Sequence, residues 1–332
     1  MNHHVSVKER TKTDSEFARD TLQGLSSVPK YLKSKYFYDN EGDKLFQKIM
    51  ALSEYYLTDC EFEILNHHKN ELMDFFSDSN TPFLLTELGA GDGLKTEVLL
   101  RHFLNKSVHF RYLPVDISPN VLNLLESKLS TYLPELNIKT YPGDYFQALD
   151  RLNREENGRK VLLFLGSTIG NFEHEETVQF LQSLNKRMNN NDLLIIGFDL
   201  KKAPNTILRA YNDPSGITAQ FNLNLLRRIN RELKGEFVMN NFYHHPTYDA
   251  STGEAKSFLV SKTDQKVYIG KLDTTFEFKR GELIFTEISQ KFDEEMINTL
   301  VEKAGFRVKK NFFDSKKYFV DSLWQKNKNA NA

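Results

Sequence analysis

The chain has 332 residues, of which 39% are hydrophobic and 27% are charged. This length and balance exclude a fibrous or wholly disordered protein and predict either one large domain with an insertion or two domains. The 44 basic and 45 acidic side chains nearly cancel, so no overall positive field draws the chain to a nucleic acid. Only Cys60 is present, so no internal disulfide can form, which predicts a cytoplasmic protein.

Residues 1–14 are polar, and the longest apolar runs have the length of a strand. Neither a signal peptide nor a membrane span is therefore predicted. The adjacent pairs His67-His68 and His244-His245 have side chains that point apart, so we expect surface positions and no metal site. No feature indicates an obligate protein partner.

Helical patterns occupy the first part of the chain. Apolar residues recur at helical spacing over Ser15 to Leu25 and again over Gly42 to Leu52. Thr58 and Glu61 have the spacing of a capping box, which predicts the start of a third helix.

From Phe83 onward, short apolar runs alternate with helical stretches. Strands are predicted over Phe83 to Leu88, Phe110 to Val115, Ile138 to Tyr141, Val161 to Leu165 and Leu193 to Phe198. The helices between them are predicted over Leu94 to Leu104, Val121 to Leu133 and Glu173 to Met188. Such alternation predicts a mainly parallel sheet that helices cover on both faces.

The alternation stops after Leu200. A helix is predicted over Ile217 to Leu233, and period-two patterns then predict antiparallel strands over Phe237 to Phe242, Ala255 to Ser261, Lys266 to Phe278 and Leu283 to Ser289. The end of the chain predicts a helix and two strands that return to the main sheet, over Glu294 to Ala304, Phe306 to Phe313 and Tyr318 to Trp324.

These patterns predict an α/β domain that is interrupted by an α+β unit. Residues 63–200 form the α/β domain, and residues 291–326 return to its sheet. Residues 201–290 form the inserted unit, which the N-terminal helical segment 14–62 joins. We expect the inserted unit to cap the strand ends of the α/β domain.

The strongest local motif is a glycine-rich turn between a predicted strand and a predicted helix. Gly89, Gly91 and Gly93 have the spacing G-x-G-x-G, and Lys95 follows two residues later. Glycines let the backbone approach a ligand closely at the carboxyl end of the first strand, where open α/β sheets bind nucleotides. The alternative is an ordinary tight strand-to-helix turn.

Two more strand tips carry residues that suit the same ligand. Asp116 ends the next strand, where an acidic side chain can accept hydrogen bonds from both ribose hydroxyls. Asp144 and Tyr145 follow the third strand and suit an adenine amino group and its ring face. Together the tips predict an adenosine-bearing ligand, although Asp144 alone could cap a helix. The glycine spacing and the lack of a second mononucleotide half argue against a dinucleotide.

One further segment identifies a family. Residues 165–171, Leu-Gly-Ser-Thr-Ile-Gly-Asn, resemble a signature of the ergothioneine-pathway histidine Nα-methyltransferases. Further segments that resemble this family are Lys35 to Asp39, Glu54 to Thr58, Ala210 to Asp213, Gly216 to Asn222 and Thr286 to Phe292. The resemblance therefore extends, in order, over nearly the whole chain.

This resemblance implies an α/β fold with a Rossmann-like class I methyltransferase sheet and an inserted α+β substrate-binding domain. It implies S-adenosyl-L-methionine as the cofactor, bound by Gly89, Gly91, Lys95, Asp116, Asp144 and Tyr145. The implied activity is Nα-methylation of L-histidine, in three successive transfers, to the trimethylated betaine.

The resemblance also implies roles in binding the amino acid. Asn171, with Tyr38 nearby, would position the α-amino nitrogen, and Tyr38 is our candidate for a cation–π contact with the trimethylammonium product. Tyr55 and Tyr211 would hold the carboxylate through their hydroxyls. Without the resemblance, the tyrosines could be ordinary half-buried residues, and Asn171 could cap the helix that follows.

Glu287 and Ser289 would hold the imidazole. They are two residues apart on a predicted strand, so their side chains point to the same face. A carboxylate and a hydroxyl can pair with the two ring nitrogens. Without the resemblance, a solvated face of an edge strand is the alternative.

One position departs from the family. Members that use histidine tend to carry Met in the strand Ala255 to Ser261, where this chain has Ser257. A smaller polar residue there alters the pocket beside the ring, so partly methylated histidine, another amino acid or another small amine is an alternative substrate. A catalytically silent S-adenosylmethionine-binding protein is the alternative from another class.

Overall fold

The computed structural model describes residues 15–77 and 81–327. The chain forms two compact units. The insert unit comprises residues 15–55 and 203–289, and the sheet unit comprises residues 56–77, 81–202 and 290–327. The polar segment 1–14, for which no signal peptide is predicted, lies outside the described residues. None of the helices in residues 15–77 and 81–327 is long and apolar enough to cross a membrane.

The described residues contain ten α-helices. In chain order they are α1 (Glu16–Ser26), α2 (Asn40–Met50), α3 (Tyr56–Phe76), α4 (Glu97–Asn105), α5 (Pro119–Tyr132), α6 (Tyr145–Glu155), α7 (His174–Arg187), α8 (Pro204–Tyr211), α9 (Ile217–Leu233) and α10 (Glu294–Lys303). Short 3₁₀ turns lie at Ser34–Phe37, Thr168–Asn171 and Met239–Asn241.

The same residues contain thirteen strands. They are β1 (Lys30–Tyr31), β2 (Phe83–Leu88), β3 (Phe110–Asp116), β4 (Tyr141–Pro142), β5 (Arg159–Phe164), β6 (Leu193–Asp199), β7 (Phe242–Asp249), β8 (Glu254–Ser261), β9 (Gln265–Ile269), β10 (Thr274–Phe278), β11 (Leu283–Gln290), β12 (Phe306–Phe313) and β13 (Phe319–Lys326).

The sheet unit is built on a seven-stranded sheet in the order β12-β13-β6-β5-β2-β3-β4. β13 runs antiparallel to both of its neighbours, and the strands from β6 to β4 pair in parallel. This arrangement confirms the predicted α/β fold class, a Rossmann-like class I methyltransferase sheet.

The strand order also locates a crevice. The chain extends the sheet from β2 through β3 to β4 on one side and returns to place β5 on the other side of β2. Ligands of open α/β sheets bind outside the carboxyl ends of the strands at such a reversal. The glycine-rich turn after β2 and the loop after β5 therefore flank the expected ligand crevice.

The central strands are mostly apolar because helices cover both faces of the sheet. All residues of β2 and β6 are buried. Alternate residues Leu162, Phe164, Leu194 and Ile196 enter one core cluster, together with Trp324 from β13.

The insert unit has its own core. Its four-stranded sheet has the order β1-β11-β8-β7, and β9 and β10 form a separate antiparallel hairpin. Phe221, Leu225, Ile229 and Leu233 recur at helical spacing on α9 and enter a core cluster with residues of this sheet.

Three predicted strands are wrong in detail. Lys266 to Phe278 is a hairpin, because the chain turns after β9, where Asp273 has φ +47, and the alternation continues past the turn. Most of Phe237 to Phe242 is a loop with a 3₁₀ turn, and the missed strand β7 starts at its end. Pro246 within β7 weakens its strand pattern. Only two residues form β4, and Ile138 makes an isolated bridge to Tyr112.

Candidate active site

The glycine-rich turn after β2 adopts backbone conformations that favour glycine. Gly89 has φ +78 and Gly91 has φ +54, both in the left-handed region. The Gly89 amide donates to the Val115 carbonyl at 2.8 Å, which ties the turn to the end of β3. A Cβ atom added at Gly91 would meet nothing within 4 Å. The backbone of Gly91 therefore faces open space, as close approach by a ligand requires.

Asp116 lies beside this turn. One carboxylate oxygen accepts from the Gly91 amide at 3.2 Å, and the other accepts from the Ser118 amide at 2.9 Å. Burial raises the pKa of Asp116, although these hydrogen bonds oppose the shift. The structure thus brings the first two predicted strand tips together.

Tyr145, which follows β4, lies beside the glycine-rich turn that follows β2. A Cβ atom added at Gly89 would lie 3.1 Å from the Tyr145 hydroxyl oxygen. The Tyr145 ring packs edge-on against Phe164, with ring centroids 5.7 Å apart. Asp144 is exposed and caps α6, because its Oδ1 accepts from the Phe146 amide at 2.9 Å.

These residues fit an adenosine-bearing cofactor by the chemistry of their side chains. Asp116 supplies acceptors for ribose hydroxyls, Tyr145 supplies an aromatic side chain, and Gly91 leaves the backbone open. S-adenosylmethionine also carries a carboxylate on its methionine part, for which Lys95 offers a cation.

Lys95 makes an ion pair with Glu61 of α3. The Glu61 side chain is fully buried, whereas 20% of the Lys95 side chain is exposed. Burial alone would lower the pKa of Lys95, but Glu61 outweighs it and the pKa is raised. The predicted capping box is wrong, because α3 begins at Tyr56, before Thr58, and Glu61 points to Lys95 instead of to the helix start.

Asn171 ends the 3₁₀ turn that follows β5. This turn begins after Ser167, which has φ +54, and it packs closely: a Cβ atom added at Gly170 would lie 2.7 Å from the Gln290 carbonyl oxygen. The alternative role of Asn171 as the cap of α7 is wrong, because a capping box led by Glu173 caps that helix. Asn171 is half-buried at the carboxyl edge of the sheet.

In the insert unit, the structure brings Tyr211 and Ser289 together. The Tyr211 hydroxyl donates to Ser289 Oγ at 2.7 Å, and both side chains are buried. Tyr211 ends α8, and Ser289 lies on β11, 78 residues further along the chain. Glu287, two residues before Ser289, is half-buried.

Tyr38 and Tyr55 pack on a common ring, Phe46 of α2. The Tyr38 ring centroid lies 5.5 Å from that of Phe46, and the Tyr55 centroid lies 6.4 Å from it, both edge-on. Tyr38 also contacts Phe221 and is 41% exposed. Sequence reasoning missed Phe46, because one aromatic residue on an amphipathic helix is typical of any core.

Ser257 is buried and faces a histidine. His244 Nε2 lies 3.1 Å from Ser257 Oγ, and the Ser257 carbonyl accepts from Thr286 Oγ1 at 3.0 Å. The prediction of a surface position for His244 is wrong. Burial and the neighbouring His245 lower its pKa to about 4, so the ring is neutral at physiological pH.

The described residues hold no group of three or more His, Cys, Asp or Glu side chains that could bind a metal ion. The sheet with its reversed strand β13, and the glycine turn, Asp116 and Tyr145 at its strand tips, define a class I S-adenosylmethionine-dependent methyltransferase.

Comparison with known proteins places the chain within this class. The family described as histidine-specific, S-adenosylmethionine-dependent methyltransferases matches residues 17–326, and the chain belongs to that family. Histidine N-alpha-methyltransferase of Mycobacterium tuberculosis is 36% identical over 287 residues, which cover 86% of this chain and 88% of that one.

Ergothioneine biosynthesis protein 1 of Schizosaccharomyces pombe is 32% identical over 310 residues, which cover 90% of this chain but 40% of that longer protein. A crystal structure of an S-adenosylmethionine-dependent methyltransferase from Clostridium acetobutylicum superposes with a TM-score of 0.41 and 10% identity, over 77% of this chain and 89% of that one.

Family membership confirms the predicted resemblance, the enzyme class and the cofactor. The protein is an S-adenosylmethionine-dependent methyltransferase of the histidine-specific family, and its substrate is a small-molecule amino acid. The roles of individual side chains remain predictions.

Proposed function

We propose that this enzyme methylates the α-amino nitrogen of L-histidine, that it continues to the trimethylated betaine, and that the reaction belongs to ergothioneine biosynthesis. The observation that carries the proposal is the 2.7 Å hydrogen bond from Tyr211 to Ser289. The resemblance assigns one of these residues to the substrate carboxylate and the other to the imidazole. Side chains that hold the two ends of one small amino acid must lie near each other.

In this proposal, Glu287 and Ser289 of β11 bind the imidazole ring of the substrate. Alternation along a strand points both side chains to one face. A carboxylate accepts a hydrogen bond from one ring N–H, and a hydroxyl can donate to the other nitrogen. An amino acid without a hydrogen-bonding ring would leave these groups unpaired, which a buried site penalises strongly.

Methyl transfer needs a neutral amine aligned for in-line attack, and Asn171 and Tyr38 orient that amine in our proposal. Bound S-adenosylmethionine supplies the electrophilic methyl group. A new C–N bond forms as the C–S bond breaks, and the ammonium form of the substrate must first lose a proton. The side chains bind and orient the amine and exclude water, without a covalent enzyme intermediate.

The product of three transfers is a trimethylammonium group, which cannot donate hydrogen bonds. We assign the contact with this cation to Tyr38, whose ring is held edge-on by Phe46 and Phe221. We place the reaction in the cytoplasm, because a single cysteine, Cys60, allows no internal disulfide, as is usual in a reducing compartment.

Mass spectrometry of the products from S-adenosylmethionine and L-histidine tests the proposal. Wild type should yield mono-, di- and trimethylhistidine, and Glu287→Ala should lose at least about 90% of the turnover because one ring nitrogen loses its partner. Glu277→Ala removes an exposed carboxylate that pairs with Lys266 in the same unit and should retain wild-type turnover. Absence of methylated histidine despite cofactor binding would reject the substrate assignment.

A second substrate class, another aromatic amino acid or partly methylated histidine, is favoured by one observation. Ser257 pairs with His244 where histidine-using relatives tend to carry Met. A panel of aromatic amino acids and Nα-methylated histidines, tested with wild type and Ser257→Met, distinguishes this substrate class from L-histidine. If L-histidine is the substrate, it should have the highest kcat/KM in the wild-type panel.

A further inference from the structure

A single buried carboxylate links the two chain segments that flank the ligand crevice. Glu61 of α3 accepts from the amide of Gly166, just after β5, at 2.8 Å and pairs with Lys95, which follows the glycine turn after β2. A Cβ atom added at Gly166 would lie 3.3 Å from Lys95 Nζ. The ammonium group, the amide and the carboxylate therefore meet where the strand order reverses.

The fold makes room for this carboxylate. A Cβ atom added at Gly197 of β6 would lie 2.3 Å from Glu61 Oε1, so a larger residue cannot occupy this position without displacing Glu61. Gly197 is paired with Asp321 on the neighbouring strand β13. The space for Glu61 is thus a feature of the central sheet itself.

Asp321 adds a second carboxyl group beside Glu61. It is fully buried, and neither of its oxygens accepts a hydrogen bond from a donor among the described residues. Burial and the nearby Glu61 charge raise the pKa of Asp321 well above its ordinary value. Of the two carboxyl groups, Glu61 is the one that pairs with Lys95.

A third carboxyl group, Glu87 of β2, lies in the same surroundings but has partners of its own. It accepts from Thr96 Oγ1 at 2.7 Å and from the Tyr112 hydroxyl. Glu61 is therefore the partner that sets the position of the Lys95 ammonium group.

We propose that Glu61 is a positioning residue for the cofactor: it holds the Lys95 ammonium and the Gly166 amide in place so that Lys95 can receive the carboxylate of S-adenosylmethionine. This inference rests on the proposed role of Lys95 in cofactor binding. Glu61 contacts no substrate or cofactor atom in this account and acts through Lys95.

Calorimetric titration with S-adenosylmethionine and steady-state kinetics test the inference on four proteins. They are wild type, Glu61→Gln, Lys95→Met and the control Glu71→Gln, which breaks an ion pair with Lys310 on the half-exposed face of the same helix. Glu61→Gln should raise the Kd and the KM for S-adenosylmethionine at least about tenfold, because a neutral amide oxygen holds the ammonium group less strongly than a carboxylate does. The KM for histidine should stay within about twofold, and the control should match wild type.

A merely structural role of Glu61 predicts a different result: a lower melting temperature with an unchanged Kd for S-adenosylmethionine. That result, combined with weaker binding in Lys95→Met, would overturn the inference and leave the role of Lys95 standing. Unchanged binding in both variants would overturn the role of Lys95 as well. If Glu61→Gln does not fold, Glu61→Asp keeps the charge but withdraws it by one methylene, and a Kd within twofold of wild type would equally reject the inference.

Discussion

The predicted sites in the two units are formed by different kinds of chemical group. The sheet unit uses backbone: left-handed glycines, an open approach at Gly91 and amides that bind carboxylates. It also buries ionisable side chains, with Glu61, Glu87 and Asp321 all at or below 4% exposure. The insert unit uses neutral hydroxyls and rings, such as Tyr211 with Ser289 and Tyr38 with Phe46.

The two units should therefore be sensitive to different kinds of change. A buried ionisable group changes its charge with pH and fits only in a cavity of the right size. The stability of the sheet unit should therefore depend strongly on pH and on substitutions that add even one methyl group. A site built from hydroxyls depends on single neutral hydrogen bonds, each of which contributes about 1 kcal/mol. Removal of a single hydroxyl in the insert unit should therefore have a smaller, more local effect.

The largest expected effect is a pH dependence of stability that arises from Glu87. Burial raises its pKa from 4.5 to about 7 against the hydrogen bonds from Tyr112 and Thr96. Between these two values the folded protein retains a proton that the unfolded chain releases, so stability falls as pH rises from about 4.5 to about 7. The loss is on the order of 3 kcal/mol and does not grow above that range.

Urea unfolding at several pH values between 5 and 8 measures this effect. The only tryptophan, Trp324, is buried in the sheet unit, so its fluorescence reports on that unit. Glu87→Gln should flatten the curve, while Glu175→Gln, on the exposed first turn of α7, should leave its slope unchanged. Parallel curves for wild type and Glu87→Gln would contradict the assignment.

Asp116→Ala tests the predicted ribose-binding part of the cofactor site in the sheet unit. It removes the predicted ribose acceptor and loosens Gly91, so S-adenosylmethionine should bind about 100-fold more weakly, equal to about 2.7 kcal/mol. Asp150→Ala removes a carboxylate that pairs with Arg187 on the surface and should not change the affinity. Calorimetry measures both, and a change of less than fivefold in Asp116→Ala would remove Asp116 from the cofactor site.

The sheet unit could be predicted well from sequence for a physical reason. Doubly covered parallel strands are mostly apolar, so β2 was located at its observed bounds, and a glycine-rich turn follows its end. The partnership of Glu61 with Lys95 could not be predicted, because it joins residues that are 34 positions apart through tertiary packing. The local spacing of Thr58 and Glu61 instead suggested a helix cap.

The insert unit was harder to interpret. Tyrosines and phenylalanines at helical spacing are equally typical of an ordinary core, so Tyr38, Tyr55 and Tyr211 were singled out only by the family resemblance. The β9–β10 hairpin continues a period-two pattern through its turn, which concealed the turn. His244 was missed because partial burial on β7 is a property of the folded sheet and not of the residues next to it in sequence.

Gly197→Ala probes the space in which the sheet unit buries its charge. The new methyl group would crowd both Glu61 and the Phe319 ring, whose Cε1 lies 2.9 Å from the added Cβ position, and should cost about 2 kcal/mol of unfolding free energy. In a Glu61→Ala background the carboxylate is gone, so the same change should cost less. Equal costs in the two backgrounds, measured by urea unfolding, would show that Glu61 does not occupy this space.

Tyr211→Phe has the smallest expected effect and removes one hydroxyl group from the predicted substrate site of the insert unit. It removes the donor of the 2.7 Å bond to Ser289, so the KM for histidine should rise about fivefold, close to the 1 kcal/mol of a neutral hydrogen bond. Tyr268→Phe removes an exposed hydroxyl that donates to Asp273 and serves as the matched control. Because the two residues share this bond, adding Ser289→Ala to Tyr211→Phe should reduce kcat/KM by a smaller factor than Ser289→Ala does in wild type. Additive effects on kcat/KM would instead mean that the two residues bind the substrate independently.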